Sequence, residues 1–264
     1  MTTQEIATKL HDTFGFISFQ EDGHKYFFDG QSDDAIISVT GLVETLHAPF
    51  DKDYWSEFKA KKLGVSKEEI LKEWDDKALL ACDRGTAVHR FMECFYTGQK
   101  YVIPEEVNRP EIVEAVNRNK PACKKFILDY KDVFEPVASE LKVGVREWKL
   151  CGTIDQIFRE KSTGNLWIYD WKTNKEFTTK NKYGSMLQAP FNRYEDCNLN
   201  AYSFQLNIYK KIIEKMTDLK IAGCVLVWFD EMGEYHPFRC LDVANDCDIL
   251  LRRRVRELEE IANN

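Results

Sequence analysis

Two apolar runs, each carrying one aspartate and separated by a short polar break, constrain this chain more than any other stretch. Gly152-Thr-Ile-Asp155 opens the first run, and Asp170-Trp-Lys172-Thr closes the second. Residues 159–165, with Ser-Thr-Gly-Asn at their centre, form the break, so the stretch predicts a β-hairpin with an acidic residue on each strand. Side chains alternate along a strand. Leu166, Ile168, Asp170 and Lys172 therefore share one face, and Trp167, Tyr169 and Trp171 the other. A carboxylate and an ammonium then point into the same space, with a second carboxylate delivered from the neighbouring strand. Two carboxylates can hold a hard divalent cation, and a nearby lysine can stabilise charge on a phosphate or polarise an attacking water. The chemistry that such a set supports is phosphodiester hydrolysis.

Spacing alone does not carry that reading. The same acidic-x-Lys pattern recurs at Glu57–Lys59, Asp75–Lys77, Asp129–Lys131, Glu140–Lys142, Glu147–Lys149 and Asp218–Lys220, where solvated charge explains most copies. The copy at 170 ends an aromatic and aliphatic run that should be buried, so its charges emerge from a rigid strand. It also follows Gly152, whose missing side chain permits close backbone approach. Charges next to a buried run need compensation. The competing structure is a surface hairpin whose exposed pair contributes under about 1 kcal/mol.

Other segments supply partners. Arg84 to Glu93 lies in a helical stretch with Val88, Phe91, Met92 and Phe95 as apolar positions, and His89 and Glu93, four apart, stack on one face. Residues 199–213 also have helical periodicity, with Tyr202, Gln205 and Tyr209 along one stripe. A hydrogen-bonded core histidine and a half-buried helix face are the plainer readings of these two segments.

The ordered set, Gly-Thr-x-x-His89-x-x-x-Glu93, then Glu140 on a strand, Gly-Thr-Ile-Asp155, Asp170-Trp-Lys172-Thr and Gln205-x-x-x-Tyr209, resembles the RecB-like branch of the PD-(D/E)XK nuclease superfamily. That branch includes phage-type exonucleases and the mitochondrial genome maintenance exonuclease. The resemblance implies a restriction-endonuclease-like α/β core and a metal-dependent deoxyribonuclease. It assigns His89, Asp155 and Asp170 to the metal, with the Trp171 carbonyl completing the protein's share, and Lys172 as the catalytic lysine. Glu140 joins as a catalytic acid or ligand for a second ion, and Glu93 as a group behind the ligands. Gln205 and Tyr209 orient the lysine or contact the nucleic-acid backbone, with Lys175 just past the site. The implied cofactor is Mg²⁺ or Mn²⁺, as one or two ions. The substrate is DNA, single-stranded or at duplex ends, in recombination, repair or processing beside an annealing protein or helicase. The alternatives are a structure-dependent endonuclease or nickase, an RNA substrate, and a nucleic-acid-binding module without turnover.

Composition bounds the rest. With 264 residues and 44% apolar content the chain can bury a full core. It reads as a hairpin and helical extension over residues 1–80 packed on a nuclease core over 81–264. The eight cysteines contain no Cys-x-x-Cys pair, so no iron–sulfur cluster is expected. No apolar run approaches a membrane span and no signal peptide is visible at Met1, which points to a cytoplasmic setting. A formal charge of −7 argues against non-specific coating of duplex. Gripping would fall to local basic groups: Lys172, Lys175, Lys180 and Lys182; Lys59, Lys61 and Lys62; and Arg252 to Arg254.

The remaining pattern is α/β, a small mixed sheet flanked by helices. Residues 16–28 predict a hairpin turning at Asp22-Gly23, with His24 exposed beside it. Ser38 to Thr40 caps a short helix from Gly41. Residues 51–63 form an amphipathic helix with Trp55 and Phe58 inward. Ser66 to Glu69 is a capping box for the next helix, and a separate helix carries His89. Pro110 starts another, which Pro121 interrupts or kinks. Residues 137–148 make a first central strand, 176–198 an irregular gripping or gating loop, 223–229 a buried strand, 235–240 an edge strand, and 243–261 a closing helix.

Overall fold

The computed structural model describes residues 1–20, 23 and 25–263. In chain order the helices are α1 (Thr3–Phe14), α2 (Val39–Glu44), α3 (Lys52–Leu63), α4 (Lys67–Thr97), α5 (Pro110–Tyr130), α6 (Asn198–Met216) and α7 (Ala244–Ala262). The strands are β1 (Ile17–Gln20), β2 (Lys25–Phe28), β3 (Ile37–Ser38), β4 (Phe134–Val145), β5 (Leu150–Glu160), β6 (Leu166–Lys172), β7 (Ile221–Phe229) and β8 (Tyr235–Arg239). β1 and β2 pair antiparallel as a separate hairpin. Asp22 of the predicted Asp22-Gly23 turn, and His24 beside it, lie outside the described residues.

The other six strands form one mixed sheet flanked by helices, as the alternating pattern implied. β5 and β6 are the expected antiparallel hairpin, and β6 continues parallel to β7, which pairs antiparallel with β8. β4 runs along the outer side of β5 and among the described residues pairs with no other strand, while β3 adds two residues beside the start of β5. β4 is thus an edge strand rather than a central one. Pro136, which has no N–H to donate, sits at a register shift on that edge, where a sheet tolerates it.

Each sheet face carries its own apolar layer. Leu166 and Ile168 of β6 join Leu141, Val143 and Ile154 under α1, α6 and α7. Tyr169 and Trp171 face the opposite way and join Phe126, Phe158 and Phe229 under α4 and α5. β6 is therefore buried on both sides, so Asp170 and Lys172 are held by a strand with little freedom.

Three local expectations are corrected, and one helix is added. Trp55 and Phe58 point outward, and the buried residues of α3 are Ser56 and Ala60. The capping box at Ser66 starts one 31-residue helix that runs through His89. α5 continues through Pro121, with Ala122, Cys123, Phe126 and Ile127 buried beyond it. That burial outweighs the roughly 3 kcal/mol cost of an interior proline. α1 was not foreseen, although Thr2 and Glu5 form a capping box that signals it.

Candidate metal centre

Three elements converge on one point. α4 brings His89, β4 brings Glu140 and β5 brings Asp155, and one ligand atom from each lies within 4.8 Å of the others. His89 Nδ1 stands 3.4 Å from Asp155 Oδ1 and 3.8 Å from Glu140 Oε1. Its Nε2 lies 3.0 Å from the Trp171 carbonyl oxygen. A carbonyl only accepts, so Nε2 carries a proton, and Nδ1 is turned toward the two carboxylates. The other Asp155 oxygen, Oδ2, accepts from the Trp171 N–H at 2.7 Å. The backbone of one residue, Trp171, thus orients both side chains through its N–H and its carbonyl.

Glu140 is held unusually. Its φ of 48° lies in the left-handed region, which strand residues other than glycine seldom adopt. Such strain persists only where the surroundings impose it, and it gathers at functional sites. Glu140 Oε1 is buried with no hydrogen-bond partner.

Pairing of β5 with β6 ends at Gln156 and Tyr169, and Asp155 and Asp170 follow where the strands part. Asp170 Oδ2 lies 2.6 Å from Lys172 Nζ, an ion pair between two largely buried side chains. The approach is outside hydrogen-bonding directions, so Oδ2 also lacks a directed donor. The Lys172 ammonium sits 4.2 Å from the centre of the Tyr202 ring, an attraction that adds to the ion pair.

Crowding of acids under cover sets the charge states. Burial, with Asp155 adding, pushes the Asp170 carboxyl up to about 6 against the pull of Lys172. Burial likewise raises Glu140, with His89 opposing and Asp155 and Glu93 adding. Burial works against the charge of Asp155, yet His89, Lys172 and the Trp171 N–H hold its pKa below the ordinary value. For His89, burial favours the neutral ring, but Asp155 and then Glu140 raise its pKa well above normal. For Lys172, burial is outweighed by Asp170, Tyr202 and Asp155, and its pKa rises too.

The remaining candidates fall into place around this centre. Glu93 is engaged by Arg90 at 2.5 Å rather than by the cluster. The Trp171 carbonyl, which the resemblance implies as a metal ligand, accepts from His89 Nε2. Tyr209, 3% exposed, has no surface to offer a substrate, which corrects the expectation of backbone contact. Its hydroxyl lies 3.5 Å from Gln205 Nε2. A Cβ added to Gly152 would stand 2.7 Å from that hydroxyl oxygen and 2.8 Å from a ring carbon. Gly152→Ala is therefore expected to cost about 1–3 kcal/mol by overpacking, read as a lowered Tm together with reduced activity as β5 shifts under Asp155.

Lys175 is exposed three residues past Lys172. Lys182 is paired with Glu176 at 2.5 Å, and Lys59 with Glu73 at 3.1 Å. Arg254 is buried, donating to the Ala35 and Trp148 carbonyls, and is corrected from a nucleic-acid contact to a structural tie. The loop over 176–198 is braced, with Asn181 donating to Glu195 and to the Asp196 carbonyl at 2.7 and 2.6 Å. Beside the centre, Thr40, His47, Asp196, Tyr202 and Gln205 line a cleft of about 240 Å³. Sequence reasoning missed Tyr202 as a partner of the lysine, though its place one turn before Gln205 was a usable signal.

A buried Glu140 oxygen without a donor, an imidazole nitrogen aimed between two acids, and mixed N/O ligand atoms fit a divalent cation; Asp170 stands outside that group, paired with Lys172. Among the described residues no helix is long and apolar enough to cross a membrane. A family model described as PD-(D/E)XK nuclease superfamily matches residues 58–232, and no curated protein matches the chain.

Proposed function

The chain belongs to the PD-(D/E)XK nuclease superfamily, and from that premise we propose that it is a Mg²⁺- or Mn²⁺-dependent DNA exonuclease of the RecB-like branch. The observation that carries the reading is the convergence of His89, Glu140 and Asp155 on one point, with the buried Glu140 Oε1 left without a donor. A buried carboxylate oxygen without a donor is costly unless something compensates it. His89, Glu140, Asp155 and Asp170 would hold the metal. When bound, the ion supplies Lewis-acid activation of a water and stabilisation of the departing oxygen.

The protein's own groups do the rest. The Trp171 backbone N–H and carbonyl fix Asp155 and His89, so these ligands are oriented before substrate arrives. Lys172 stays protonated at neutral pH, because Asp170 stabilises its charge. It therefore acts as a cationic donor to a phosphate oxygen and not as a base. Gln205 and Tyr209 support the β5 side from α6, and Lys175 stands near enough in sequence to meet the incoming strand.

Digestion of end-labelled single-stranded, duplex and closed circular DNA with each ion tests the proposal. Stepwise shortening of linear DNA and an untouched circle are expected. Cutting of the circle would replace the exonuclease reading with an endonuclease, and no cleavage of any substrate would remove the enzymatic reading.

A further inference from the structure

α3 is built with its large side chains outside. Its buried positions are Ser56 and Ala60. Tyr54, Trp55 and Phe58 stand 57%, 46% and 52% exposed. A helix that merely packed on its neighbour would place these rings inward, because each buries far more apolar area than serine or alanine. The three rings are also organised among themselves. Trp55 meets Tyr54 and Phe58 edge-on at 5.2 and 5.8 Å, and Tyr54 and Phe58 lie nearly parallel at 6.5 Å. They form one continuous ring surface on a rigid element, and Lys61 and Lys62 stand exposed in the next turn.

The position of α3 ties that surface to the centre. It packs against the first half of α4, with Lys59 reaching Glu73 and Lys52 reaching Asp75 at 2.9 Å. The same helix delivers His89, sixteen residues past Glu73, or about 24 Å along the axis. Five residues before α3, His47 lines the cleft beside Tyr202 and Gln205. α4 thus links the helix that carries the rings to the centre, and the ring surface lies several nucleotides away from it.

We propose that Tyr54, Trp55 and Phe58, with Lys61 and Lys62, are a stacking platform that holds the unpaired bases of single-stranded DNA while its end reaches the metal centre. Exposed aromatic faces stack on any base, and neighbouring lysines neutralise the backbone. A duplex would present phosphates but no open base faces to these rings. The platform deepens the nuclease reading and rests on it for the identity of the strand.

Binding is measured by anisotropy of labelled dT20 and dT4 in EDTA, where no turnover occurs. Wild-type protein is expected to bind dT20 more tightly than dT4. Trp55→Ala with Phe58→Ala is expected to weaken dT20 about tenfold or more and so remove most of the length preference. Trp55→Phe, which keeps a ring, is expected to retain it. Lys61→Glu with Lys62→Glu is expected to weaken dT20 and lower its salt dependence. All these positions are exposed, so unchanged melting curves separate lost stacking from lost structure. Equal dT20 affinity in the alanine variant overturns the platform, as does a wild-type protein with no length preference. A wild-type dimer by light scattering that the alanine variant dissolves also overturns it, assigning the face to a second copy. Cleavage of end-labelled DNA by wild-type protein is scored separately, so a failed nuclease reading is not confused with a failed platform.

Discussion

Lys172→Met is expected to lower the cleavage rate by roughly 10³-fold while the fold and metal binding survive. Loss of one well-placed donor at a developing oxyanion costs about 10²–10³ in rate, and a donor that is also a full charge in a covered site belongs at the upper end. Methionine keeps the length of the stem and removes only the charge. The stability cost is bounded by the neighbour. Removing one member of a buried pair typically costs about 3–5 kcal/mol because a naked charge remains. Asp170, however, is already raised to about 6 by burial and Asp155. Without Lys172 it takes up a proton near neutral pH, which relieves most of that cost. Metal-ion binding followed by thermal shift supplies the control, since His89, Glu140 and Asp155 are untouched. Single-turnover cleavage within tenfold of wild type would show that Lys172 does not act on the reacting phosphate.

The sequence made Lys172 visible because strand alternation is a strong local rule. The run from Leu166 to Lys172 has one side apolar and then charged, and the other aromatic throughout, and both sides are buried. His89 and Asp155 became visible through their ordered partners. Glu140 was harder to place, because nothing local marks a glutamate for the left-handed region. That conformation comes from the pairing of β4 across β5, a relation between distant segments. Glu93 shows the converse. Its spacing from His89 put it on the correct helix face, but Arg90, three residues away, captured it. For α3, apolar periodicity assumed that rings turn inward, and the small Ser56 and Ala60 took the interface instead. Local period reports which residues share a face, and the tertiary partner decides which face is covered.

Glu140→Gln is expected to stabilise the metal-free protein above pH 7 and to abolish most of the stabilisation that Mn²⁺ confers. The signs follow from the site's buried groups. Glu140 and Asp170 have folded pKa values above their ordinary 4.5 and 3.8, Asp170 at about 6. Between those ordinary values and the folded ones the native state holds more protons than the unfolded state, so stability falls as pH rises. His89 acts in the same direction. Raised well above 6.5 by Asp155 and Glu140, it contributes stability that is complete below 6.5 and lost as pH climbs through its folded pKa. Asp155, held low, contributes the opposite slope only below about its ordinary 3.8. Without metal, the cluster therefore weakens the fold progressively from about pH 4 through neutrality. A divalent cation takes the place of those protons, so its stabilising effect must grow with pH. At Mn²⁺ a hundredfold above its Kd the gain is about 2.7 kcal/mol, or roughly 5–10 °C in Tm for a domain of this size. Glutamine removes a costly buried charge and one ligand together, so the metal-free Tm rises while the Mn²⁺ shift shrinks to roughly a degree or two. Melting curves of both proteins at pH 5, 6.5 and 8, with EDTA or Mn²⁺, decide the matter. A metal-free wild type whose Tm climbs across that range, or a variant with the full Mn²⁺ shift, would show that the carboxylates do not form one cation site.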